Sequence, residues 1–314
     1  MRALKKILIA VIAVVLIGVI AVMGWIYAMP EQATQTIVNL ERQHAGLTRH
    51  ELTLASGEKY VYLEGGTGEP LLLLHGFGAN KDNFTRIAAK LVSRYHLIIP
   101  DEMGFAESSH DMDADYLTDA QATRLHELVT RLKLGNVHLG GNSMGGHIAM
   151  AYAAKYPTQT NSLWLLNPGG VWSAPPSEVF KEYHRTGVHP LWVHDSADFK
   201  RVFSVVMSDP PFVPTPILNV MAQPSIANEA LERKILPLLS KDGIEGRVTG
   251  LMVPTLIVWG DEDRVLHPEG AQILHKLMPN SRVIIMKGIG HMPMLEDVSQ
   301  TAQDYVAFRR SLTR

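Results

Sequence analysis

The chain has 314 residues, 46% hydrophobic and 19% charged, enough for one large α/β domain with an insertion or two modest domains. A net charge of -2 gives no electrostatic basis for nucleic-acid binding, and the absence of cysteine excludes disulfides, a thiol nucleophile and thiolate metal sites. No His-x-x-x-His pair or its Glu-containing helical form stands out among the 14 histidines, so neither a metal nor a cofactor is expected.

From Ile7 to Met29 there is no charged residue. As a helix rising about 1.5 Å per residue, that stretch covers the roughly 30 Å hydrocarbon layer. Arg2, Lys5 and Lys6 precede it and Glu31 follows, which places the N-terminus in the cytoplasm and the rest outside, periplasmic in a bacterium. Trp25 and Tyr27 suit the outer interface. The competing expectation is a cleaved signal peptide and a secreted product, but the apolar core is long for one and lacks a small-x-small site before Pro30. Residues 1–30 are thus expected to be the cytoplasmic tip and anchor. Residues 31–48 are a juxtamembrane linker, either a short amphipathic helix carrying Ile37, Val38 and Leu40 or a solvated connector.

The body opens with two β-like runs, Glu51 to Ala55 and Tyr60 to Leu63, joined by the turn Ser56-Gly57-Glu58. Leu71-Leu72-Leu73-Leu74 is an uninterrupted apolar run, as in a strand buried on both faces of a parallel sheet, and it stops at His75-Gly76-Phe77-Gly78. A helix capped by Asp82 or Asn83 runs to Leu91, a strand from His96 to Ile99, and a helix from about Thr118 to Leu132. The strand Val137 to Leu139 follows. Strands Ser162 to Leu166, Thr255 to Trp259 and Arg282 to Met286, and helices near Gln272 to Met278 and Val298 to Leu312, continue the alternation. Such alternation predicts a mostly parallel sheet with helices on both faces and ligands beyond the carboxyl ends of the strands. It breaks between Pro168 and about Thr249, where Trp172, Phe180, Trp192, Phe199, Phe203, Phe212 and the proline-dense Pro210 to Pro216 read as an inserted helical cap over an apolar pocket. The expected division is a core of 49–167 and 250–314 with a cap of 168–249.

Strand, sharp turn and helix meet at Gly141-Asn142-Ser143-Met144-Gly145, the nucleophile-elbow pattern, in which flanking glycines let the backbone turn tightly and expose the serine hydroxyl. A serine hydroxyl is a weak nucleophile and requires a base, a group orienting that base, and donors for the oxyanion. Two later strand ends carry the needed types: Asp261-Glu262-Asp263 after the penultimate strand, and Gly290-His291 after the last. Spacing alone leaves all three acidic residues open.

With these motifs, residues 49 to 314 resemble the α/β-hydrolase superfamily, and in detail the membrane-anchored monoacylglycerol lipases and cold-active bacterial lipases. The resemblance rests on the N-terminal span, His75-Gly76-Phe77-Gly78, Gly141-Asn142-Ser143-Met144-Gly145-Gly146, Val258-Trp259-Gly260-Asp261-Glu262-Asp263 and Gly290-His291. It implies a triad of Ser143, Asp263 and His291, with the oxyanion held by the backbone N–H groups of Phe77 and Met144, and His75 structural. It also implies a lipid ester as substrate and attachment to a membrane. Ala106 stands where relatives carry a second glycine after Asp101, a departure that concerns loop packing. Two alternatives have different sequence support. Asn167-Pro168-Gly169-Gly170 also resembles hydrolases that cut carbon-carbon bonds of aromatic ring-fission products, although an evident arginine pair in the cap is missing. A non-catalytic scaffold on the same fold would be expected to lack a triad member. Acyl length and oligomeric state are not legible.

Overall fold

The computed structural model describes residues 2–312; Met1, Thr313 and Arg314, which open and close the expected domain bounds, lie outside the described residues. Two helices begin the chain, α1 (Arg2–Ala28) and α2 (Pro30–His44), so the linker of 31–48 is a helix for most of its length. Within α1, 25 residues from Leu4 to Ala28 are long and apolar enough to cross a membrane, and none of its most apolar window is buried by the rest of the chain. Pro30 stands in the first turn of α2, where its missing N–H costs nothing.

Strands β1 (Thr48–Thr53), β2 (Lys59–Gly65) and β3 (Glu69–Leu74), helix α3 (Thr85–Leu91) and β4 (Tyr95–Pro100) come next. They are followed by α4 (Thr118–Arg131), β5 (Val137–Asn142), α5 (Met144–Lys155) and β6 (Thr160–Leu166). Five helices then interrupt the alternation: α6 (Glu178–Thr186), α7 (Ser196–Val206), α8 (Thr215–Ala227), α9 (Glu229–Leu239) and α10 (Glu245–Val248). The chain closes with β7 (Thr255–Gly260), α11 (Gly270–Leu277), β8 (Ser281–Met286), α12 (Pro293–Glu296) and α13 (Val298–Leu312).

The sheet has eight strands in the order β1-β2-β4-β3-β5-β6-β7-β8, antiparallel at the first two pairings and parallel thereafter. The four-leucine run of β3 explains why no alternation is visible there. Leu72 and Leu74 enter one core layer beneath α4 and α5, while Leu71 and Leu73 enter the other beneath α3 and α13. One expected cap is corrected. The side chain of Asn80 accepts the Asp82 N–H at the start of a 3₁₀ turn, Lys81–Phe84, that precedes α3; Asp82 turns away to a bidentate pair with Arg42 of α2 at 2.6 and 2.7 Å.

Candidate active site

Ser143 sits between the end of β5 and the first residue of α5, with φ 54° and ψ -116°. A non-glycine residue adopts this region only where its surroundings enforce it. The enforcement is steric and local: a Cβ at Gly145 would stand 2.1 Å from the Leu74 carbonyl oxygen, and one at Gly141 would stand 2.3 Å from the Gly145 carbonyl. Only glycine lets α5 start this close to β3 and β5. The turn is further pinned by Ser143 N–H on Leu166 O at 3.1 Å and by Gly169 N–H on Ser143 O at 2.9 Å.

His291 follows β8 and is buried. Its Nδ1 lies 2.8 Å from Asp263 Oδ2. That oxygen also accepts Asn167 Nδ2 at 2.6 Å and Trp259 Nε1 at 3.1 Å, while Oδ1 accepts the amides of Val265 and Leu266 at 2.8 and 3.0 Å. Every partner of this carboxylate is an N–H donor, and together they fix its plane. Of the three acidic residues in the turn, Asp263 meets the histidine, whereas Asp261 faces outward to Lys287 Nζ and the Gly288 N–H. Elbow and histidine loop are joined directly: Asn142 Nδ2, one residue before Ser143, donates to His291 O at 2.9 Å. Asn142, Asn167 and Trp259 lie within quoted motifs, but none of the motifs assigns their side chains a role at the site. Only the position of Asn167 at the end of a strand beside the elbow could have drawn attention to it.

The His75–Gly78 loop runs against the elbow, for a Cβ at Gly76 would stand 3.2 Å from Ser143 Cβ. His75 is fully buried, its Nε2 accepting the Glu102 N–H at 2.9 Å, so its Nδ1 carries the proton given to Gly76 O at 2.7 Å. Burial pushes its pKa below the usual histidine value, and the ring serves as a neutral prop for the loop. The Phe77 ring meets Phe105 edge-on at 5.5 Å. Met144 is the first residue of α5, where a backbone N–H has no intrahelical acceptor and the helix dipole favours negative charge.

The helices between β6 and β7 lie over these loops. Ser225 Oγ donates to Gly78 O at 3.5 Å, Asn228 Nδ2 to Gly104 O at 2.8 Å, and Glu232 is buried against Gly78 with its pKa pushed by burial to about 7. A cleft of about 310 Å³ opens between α6 and the strand ends, lined by Pro168, Val171, Trp172, Phe180, Trp259 and Leu266 among others; Ser143 is not in its wall. Trp172 and Phe180 pack on each other at 5.6 Å, and Trp192 lies under the Arg233 guanidinium at 4.4 Å. Phe212 departs from the expected cap core, being 88% exposed.

A mostly parallel eight-stranded sheet, a serine on a strained strand-to-helix turn, and a carboxylate-held histidine after the last strand describe an α/β-hydrolase. The family model for the alpha/beta hydrolase fold matches residues 69–196. Lipase 3 of Moraxella sp. (strain TA144) is 49% identical, covering 90% of this chain and 90% of its own length. The monoacylglycerol lipase ABHD6 of Bos taurus is 30% identical, covering 81% of each. Among solved structures, a membrane phospholipase A, described as a novel bacterial virulence factor, superposes with a TM-score of 0.88 at 36% identity over 99% of both chains. The chain belongs to the α/β-hydrolase family and is similar throughout its body to bacterial and monoacylglycerol lipases. It is a carboxylic ester hydrolase.

Proposed function

We propose that Ser143, His291 and Asp263 form the catalytic triad of a hydrolase acting on acylglycerols or similar lipid esters through an acyl-enzyme. The observation that carries the reading is the Asp263–His291 contact at 2.8 Å beside the strained elbow of Ser143. His291 takes the proton of the Ser143 hydroxyl as it attacks the ester carbonyl, and returns it to the leaving alcohol. Water then repeats the sequence to release the acid. Asp263 accepts from Nδ1, leaving Nε2 unprotonated and able to act as base. The N–H groups of Phe77 and Met144 receive the oxyanion; losing one such donor costs on the order of 100-fold in turnover.

The membrane side of the proposal is that α1 is an uncleaved anchor, with its N-terminus in the cytoplasm and the catalytic body outside. We take 49–167 and 250–314 as the core and 168–249 as the cap. Support comes from the 25-residue apolar stretch after Lys5 and Lys6, and from the full-length match to a protein named as a membrane phospholipase A. A lipid substrate agrees with the names of the relatives.

The test is hydrolysis of monoacylglycerols and p-nitrophenyl esters of graded acyl length by the detergent-solubilised chain beside Ser143→Ala. Turnover of medium or long acyl esters that vanishes in the variant is expected. Turnover of short soluble esters alone would remove the lipid assignment, and an active Ser143→Ala would remove the triad.

A further inference from the structure

The proline-dense run from Pro210 to Pro216 takes no part in the chemistry above, yet its placement is specific. Phe212 is 88% exposed, the most exposed large apolar side chain among the described residues. Its neighbour Val213 does the opposite. It packs with Met23 and Trp25 against Ile26, Ala33 and Ile217, a small apolar cluster joining the end of α1, the first turns of α2 and the start of α8. About 20 helical residues cross the roughly 30 Å hydrocarbon layer. Counted from Ile7, directly after Lys5 and Lys6, they end near Ile26. Phe212 is therefore one residue from a contact made where α1 leaves the hydrocarbon.

Charge and backbone agree with this placement. Between Asp209 and Glu229 there is no charged side chain, although the segment lies at the surface and α8 leaves Met221 41% exposed. Surface stretches of a water-soluble cap are usually interspersed with charge; this one continues the uncharged surface of α1. Pro210, Pro211, Pro214 and Pro216 fix their own φ angles, so ordering the loop against another phase loses little further chain freedom. Ser208 fastens the base of the loop, its N–H donating to Glu296 at 2.8 Å and its hydroxyl to the Gly288 carbonyl at 2.7 Å.

We propose that the loop from Asp209 to Pro216 is a second membrane contact, in which Phe212 and Pro211 enter the bilayer interface beside α1. The partner is the lipid surface itself, and because the loop carries no cation, anionic headgroups are not required. The proposal rests on the reading of α1 as a membrane span. It also gives the cap a fixed side toward the membrane, since the segment leading into the loop holds the histidine: Val206 O accepts the His291 N–H at 2.9 Å.

The absence of cysteine makes the test direct. Single-cysteine variants Phe212→Cys, Val14→Cys and Asn136→Cys of the full chain are labelled with an environment-sensitive fluorophore and reconstituted in phosphatidylcholine vesicles containing nitroxide lipids. Asn136 lies at the opposite end of β5 from Ser143. Labels at 212 and 14 should be quenched and the label at 136 should not. Quenching at 14 with none at 212 overturns the proposal and leaves the anchor standing; no quenching at 14 removes the anchor and the proposal with it. In the same vesicles, Phe212→Asp should lower turnover of a medium-chain ester about tenfold while soluble p-nitrophenyl acetate turnover stays within about twofold. Equal loss on both substrates would mean a structural role and overturn the proposal.

Discussion

Asp263→Asn is predicted to fail twice, in rate and in stability, because all five partners of Asp263 are donors. Asparagine offers one acceptor oxygen and one NH2 group. With its oxygen toward His291, the NH2 faces the amides of Val265 and Leu266, neither of which can accept. Flipped, it faces Trp259 Nε1 and Asn167 Nδ2 and forces His291 into the tautomer with Nε2 protonated, unable to take a proton from Ser143. Either arrangement forfeits at least two charge-assisted hydrogen bonds at about 1.5–3 kcal/mol each, on the order of 3–6 kcal/mol in all. Turnover should fall by about 10⁴ where the tautomer is lost. The assay is kcat on p-nitrophenyl butyrate in detergent together with thermal unfolding, with Asp261→Asn as the outward-facing control. Retention of more than about a tenth of wild-type kcat would refute the orienting role, given the 10⁴ expected. An unchanged Tm would refute the donor-only argument even if activity were lost.

Three further outcomes are expected. Glu102 is fully buried, neither carboxyl oxygen has a hydrogen-bond partner among the described residues, and burial, then the charge of Asp101, raises its pKa from 4.5 to about 8. The folded chain thus keeps a proton that the unfolded chain sheds, so this contribution is complete below pH 4.5 and is lost as pH rises through 8. Relative to Glu102→Gln, wild type should lose at most about 5 kcal/mol across that window, and parallel calorimetric pH profiles would count against it. Gly145→Ala, with its Cβ driven onto the Leu74 carbonyl, should cost about 3 kcal/mol or more and abolish activity; a folded, active variant would show that the elbow can relax. Arg42→Met, which breaks the pair with Asp82, should cost about 2 kcal/mol and open the α2–β1 junction to limited proteolysis, and an unaltered digestion pattern would contradict it.

The parts of this site legible in the sequence are those fixed by local sterics. The Gly141-Asn142-Ser143-Met144-Gly145 pattern works because its glycines answer to backbone atoms a few residues away or on the adjoining strand, and the strand periodicities locate their own ends. What the sequence hides depends on contacts between distant segments. Asn167 reads as the start of the Asn167-Pro168-Gly169-Gly170 turn, with no link to the acid, until it is seen 2.6 Å from Asp263, and Asp82 reads as a helix cap until Arg42 is seen taking it from forty residues away. The choice among Asp261, Glu262 and Asp263 needs the path of the turn, since all three have the same chemistry. The interruption of the alternation between β6 and β7 is legible in the sequence, but which of its aromatic residues face inward depends on helix packing that no local pattern encodes. Phe212 shares its composition with Phe180 and has the opposite environment.

The attachment of α2 to the body has a consequence for how the enzyme meets its substrate. Arg42 grips Asp82 and Glu41 pairs with Arg86, both in the segment that leaves the His75–Gly78 loop. A flexible linker would let the body sweep a hemisphere above the bilayer and dilute the active site through that volume. With the connector folded and clamped, α1 and α2 would act, on the proposed anchoring, as a bracket that holds the body at one height and one tilt. On the proposed anchoring, a lipid ester would arrive by lateral diffusion within the leaflet. Selectivity among esters would depend on how deep a scissile carbonyl lies below the water as well as on the shape of the cleft.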